Sequence, residues 1–117
     1  MTRNYQILNG DNIDRPEADM GRKAERHLKN DDFFSVISGK PMFTIGGSPV
    51  GPVTRNESSS DPTEISSGIE NGETHTVEEG AGIHIPAGVW HQWSTQGSLK
   101  MRVWKIPAAE GQAESLL

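Results

Sequence analysis

The chain has 117 residues, a formal net charge of −5 and no cysteine. It is therefore expected to form one domain with a single core, and disulfides, thiolate ligands and a cysteine nucleophile are excluded. Its 11 Lys and Arg are scattered along the chain, so no nucleic-acid footprint is expected, and no apolar run is long enough to cross a bilayer. The start, Met1-Thr2-Arg3-Asn4-Tyr5, lacks the apolar segment of a signal peptide, which implies a cytoplasmic protein with no membrane partner. Hydrophobic content of 32% is low for a small domain. That implies substantial loop or tail, and a homodimer in which an edge strand or sheet face is covered.

In chain order, residues 4–8 read as a first strand, ended by the turn formers Asn9-Gly10-Asp11-Asn12. Residues 14–26 are charged and interrupted by Pro16 and Gly21, and read as an arm connecting to the next strand. The aromatic and β-branched run Phe33-Phe34-Ser35-Val36-Ile37-Ser38, the breakers Gly39-Lys40-Pro41, and Met42-Phe43-Thr44-Ile45 predict strand, turn and strand. Residues 46–72 carry too many breakers for a helix or a central strand, and read as an insertion serving as a lid, a dimer arm or a mobile loop.

A strand is expected at 73–79. Ile83 and Ile85 then alternate with His84, as in a strand buried on one face, which turns the His84 side chain away from that pair. Pro86-Ala87-Gly88 must turn, and His91 opens a further strand, pointing to one face. Leu99, Met101 and Val103 alternate with Lys100, Arg102 and Trp104 in a last strand, and 108–117 reads as a tail. No segment favours a long helix, so the class is all-β.

The order Gly80-x5-Pro86-x-Gly88-x2-His91 resembles the second signature of the cupin family. Around Gly39 the chain resembles the first signature, Gly-x5-His-x-His-x3-4-Glu-x6-Gly, with substitutions. Counting back from Gly39 places Asp32 at the acidic position, His27 at the second histidine and Glu25 at the first. The resemblance covers roughly residues 23–106, with the 46–72 insertion between the signatures. It implies a cupin-like jelly-roll β-barrel of two packed antiparallel sheets, with His91 facing the interior as a metal ligand.

On that resemblance His27, Asp32, His91 and Glu25 hold a divalent metal ion. Imidazole with carboxylate suits Fe(II), Mn, Co, Ni or Zn. Glu25 serves either as fourth ligand or, off the metal, as a general base. Glu25 and His27 are two apart, so on a strand they share a face. Asp31 is the rival of Asp32 but falls on the opposite face. Phe34 and Trp93 are candidate walls of an apolar substrate pocket, or core. Trp90 is expected in packing or a dimer contact, and His75 as an ordinary strand residue. These readings lead to a metal-dependent enzyme acting on a small organic molecule, of oxygenase or isomerase/lyase type. The alternative is a non-catalytic module that holds a small ligand in the barrel.

Overall fold

The computed structural model describes residues 10–57 and 60–108. The strand expected at 4–8 and the tail beyond Ala108 lie outside those residues. Twelve strands follow in order: β1 (Asp11–Arg15), β2 (Ala24–His27), β3 (Asn30–Ser38), β4 (Met42–Ile45), β5 (Ser48–Val50), β6 (Thr54–Asn56), β7 (Thr63–Ser66), β8 (Gly68–Glu70), β9 (Glu73–Thr76), β10 (Gly82–Ile85), β11 (His91–Ser94) and β12 (Leu99–Pro107). Ten of them form two antiparallel sheets, a four-stranded one ordered β1-β12-β3-β10 and a six-stranded one ordered β6-β7-β2-β11-β4-β9, while β5 and β8 make a separate ribbon. The fold is the all-β class of two packed antiparallel sheets expected from the sequence. Each sheet has a linear strand order, and no ladder among the described residues closes them into a barrel.

The alternation of β3 explains its central place. Asn30, Asp32, Phe34 and Val36 are buried while Ile37 is exposed, which is the period of a strand with one face inward. β12 runs antiparallel beside it, placing Val103 opposite Phe34 and Lys105 opposite Asp32. Leu99 and Met101 therefore point inward with Phe34 and Val36. From the facing sheet Phe43 and Trp93 close the same core, and the Phe34 and Phe43 rings meet at 5.0 Å and 60°. Each such large side chain removed from water contributes about 1.5–3 kcal/mol, so this cluster is the main stabilising mass of the sandwich.

Glycine is required at the turn between β3 and β4. Gly39 has φ +98°, and a Cβ there would lie 2.5 Å from the Ser98 carbonyl oxygen. Only glycine adopts that conformation so close to another backbone.

Three expectations need correction. Asp11 and Asn12, read as turn formers, belong to β1, where they pair with Val103 and Arg102 on the edge of β12; the ladder outweighs a local turn preference. The arm at 14–26 is strand at both ends, and the Asp19–Thr95 bridge ties its middle to the end of β11. Residues 46–72, read as free of central strands, hold β5 to β8, and β7 lies inside the six-stranded sheet against β2. The breakers of that segment divide it into short strands, and Thr63-Glu64-Ile65-Ser66 is β-branched enough to complete a sheet already begun by its neighbour.

Candidate metal centre

The facing sheets bring together residues that are far apart in sequence. On the six-stranded sheet, β2 carries Glu25 and His27, and β11 places His91 directly opposite Glu25. On the four-stranded sheet, β3 contributes Asp32 with Lys105 beside it. His91 is aimed by the turn that precedes it. Gly88 takes φ +84°, which a side chain would strain, and its N–H donates to the His27 carbonyl at 2.7 Å. The turn is thereby bound to the strand that holds the other histidine. Asp31, on the opposite face from Asp32 as expected, accepts from the Ala87 N–H at 2.8 Å and pairs with the exposed His84 at 2.8 Å. It fixes the turn from outside the site.

Glu25, His27 and His91 each offer a ligand atom, and these atoms lie within 4.8 Å of one another. Asp32 sits next to them, with Oδ2 at 3.0 Å from His27 Nε2 and 3.3 Å from His91 Nε2. Its side chain is only 1% exposed. Burial alone would raise the Asp32 pKa. Hydrogen bonds with His27, His91 and Lys105, reinforced by charge on His27, outweigh that effect and hold the carboxyl well below the usual range.

The outer nitrogens of both imidazoles are committed. The Thr63 hydroxyl donates to the Asp61 carbonyl at 2.9 Å, so it must accept from His27 Nδ1 at 3.0 Å. His91 Nδ1 donates to the Val89 carbonyl at 3.2 Å. With each Nδ1 carrying its proton outward, both Nε2 atoms face Asp32, and whatever lies among them must be positive: a proton, an ammonium or a metal ion. Such outward hydrogen bonds are what orient imidazole ligands in metal sites.

Lys105 supplies a cation there. Its Nζ donates to Asp32 Oδ1 at 2.6 Å and lies 3.1 Å from His27 Nε2, and Asp61 Oδ2 is 3.8 Å away. Glu25 is partly exposed, with Oε2 3.6 Å from His27 Nε2. That position suits a carboxylate able either to ligate or to move a proton. Beside this cluster is a cavity of about 110 Å³, lined by the polar Glu25, Asp32, His91 and Lys105 and by the aromatic Phe34 and Trp93. The Arg22 guanidinium also lines it and lies 4.2 Å over the Trp93 ring.

All four expected ligands thus converge, and both aromatics line the cavity while also packing in the core. Trp90 is buried and stacked under Arg26, and His75 is exposed on β9. The residues that sequence reading missed are Lys105, Thr63 and Asp61. A signal existed for Lys105, since it continues the inward series Leu99, Met101, Val103 by two. Thr63 and Asp61 carried none, because they lie in the segment read as an insertion. Compared with known proteins, the chain matches no protein-family model and no curated protein.

Proposed function

We propose that this protein is a small metal-binding cupin in which Glu25, His27 and His91, with Asp32 behind them, hold a divalent cation. The observation that carries the reading is the meeting of three ligand atoms within 4.8 Å, from strands β2 and β11. Two imidazoles with carboxylate suit Fe(II), Mn, Co, Ni or Zn. Such an ion, when bound, supplies a Lewis acid with positions open to a substrate.

The chain's own residues fit the enzyme reading. Phe34 and Trp93 give the cavity an apolar surface for a small organic molecule, and Glu25 lies where a ligand or general base would be needed. An oxygenase and an isomerase or lyase use the same arrangement. One observation favours the second reading, a non-catalytic ligand-binding module: Lys105 already neutralises Asp32 with no metal required.

The test is metal content after dialysis of untagged protein against excess Co(II), followed by removal of free ion. About one ion per chain in the wild type, lost in His27→Ala and His91→Ala, is the expected result. Retention of no Co(II) by the wild type, and none by a variant without the Lys105 charge, overturns the metal reading and leaves the binding module.

A further inference from the structure

Lys105 is the one cationic side chain among the described residues that reaches into the imidazole and carboxylate cluster. Its contacts are those that a bound ion would need. His27 Nε2 is the nitrogen that faces inward, because Nδ1 gives its proton to Thr63, and Lys105 Nζ lies 3.1 Å from it. The same ammonium holds Asp32 Oδ1 at 2.6 Å. An ion ligated by His27 Nε2 must lie within bonding distance of a nitrogen that Lys105 Nζ already approaches to 3.1 Å, and its charge would repel an ammonium so near. The two cations exclude each other.

The geometry also gives Lys105 a way out. Its side chain is 33% exposed, whereas that of Asp32 is 1% exposed, so the lysine can leave for solvent while the carboxylate stays. A four-carbon stem with a strongly hydrated head makes that exchange feasible. Asp61, 3.8 Å from Nζ and accepting from Asn30 at 2.9 Å, offers a second anchor. Asp61 is itself on the segment read as an insertion, which thus bears on how the site is occupied.

We propose that the Lys105 ammonium is a tethered competitor for the metal: it occupies the Asp32–His27 position, and a divalent ion binds only by displacing it. Lys105 therefore sets the affinity of the site. This inference rests on the metal-site reading and adds the group that opposes it. Removing the charge while keeping the stem, as in Lys105→Met, should strengthen ion binding. Lys105→Gln does the same while retaining a donor for Asp32, and so covers the case in which the methionine variant fails to fold. Lys105→Arg keeps the charge and should stay near the wild type.

The experiment is a Co(II) titration of the full untagged chain at one neutral pH, read by visible absorption and by competition with a chromophoric chelator. Circular dichroism checks each variant for folding. The expected result is Co(II) binding about tenfold tighter or more in Lys105→Met and Lys105→Gln, unchanged in Lys105→Arg, and lost when His91→Ala is added to Lys105→Gln. Equal affinity in the wild type and both neutral variants overturns the competition and leaves the metal site standing. No binding by any variant overturns the metal reading and the competition together.

Discussion

The two halves of the sandwich interior are lined by the same strands and filled with opposite chemistry. Along β3 the inward positions run from Asn30 and Asp32 to Phe34 and Val36, and along β12 they run from Leu99, Met101 and Val103 to Lys105. The change from apolar to charged falls between neighbouring inward positions on both strands, at Phe34/Asp32 and Val103/Lys105. One half buries Phe43, Leu99, Met101 and Val36 with almost no exposure. The other buries a carboxylate and two imidazoles, which costs desolvation that only close pairing offsets. Hydrophobic residues of similar volume would generally stabilise such a position as well or better. The charged half is therefore not where the fold gains its stability.

Three substitutions probe that division, beginning with the largest effect on stability. Phe43→Ala, at a fully buried position with the Phe34 ring 5.0 Å away, should cost about 3–5 kcal/mol. Urea denaturation reads the loss, and Co(II) bound per folded chain should not change. A loss no larger than that of a surface substitution would remove the apolar half as the source of stability.

Asp32→Asn should come next, at about 2 kcal/mol near neutral pH, because the buried carboxylate's charge-assisted hydrogen bonds with His27, His91 and Lys105 are lost. This variant also has a pH signature. The folded-state pKa of Asp32 is lowered, so the unfolded chain takes up the proton first as the pH falls. The stability that Asp32 contributes is complete above the ordinary carboxylate value of about 3.9 and declines below it, toward the depressed folded value. Denaturation curves from neutral pH to pH 2 should show the wild type losing its advantage over Asp32→Asn only in the acid range, below about pH 4. A gap that stays constant through that range would mean that the carboxylate is not held by its neighbours.

Thr63→Val should have the smallest effect on stability, about 1 kcal/mol, since Asp61 Oδ2 still lies 3.3 Å from His27 Nδ1. Its effect on the site should be larger: a weakening of Co(II) binding by about tenfold, as for other groups that orient an imidazole ligand. A change in stability without a change in affinity would make Thr63 part of the scaffold alone.

The directions of several site residues were legible before the fold was known, for a local reason. Gly88 and Pro86 announce a forced turn, and a histidine at fixed distance after such a turn has a defined direction. Glu25 and His27 share a face because a strand has a period of two. Asp32 could be separated from Asp31 by the same parity, and their side chains do part, Asp32 into the site and Asp31 to His84 and the Ala87 N–H. Lys105 was overlooked because a lysine at the end of an alternating strand ordinarily reaches solvent. Only its position opposite Asp32 across the β3–β12 ladder turns it into the cluster.

Resemblance to a known pair of motifs singled out the four candidate ligands; by itself the sequence determined the all-β class, the strand and turn at 33–45 and the inward face of the last strand. These follow from side-chain alternation and from the backbone limits of glycine and proline, which act over a few residues. The tertiary structure alone decided that residues 63–66 complete the sheet beside His27, that Asp11 and Asn12 lie in an edge strand, and that an ammonium from β12 lies among the ligands. Each of these depends on pairing between segments separated by about 35 residues or more, and no local preference encodes which distant strand will supply the missing hydrogen bonds or the balancing charge.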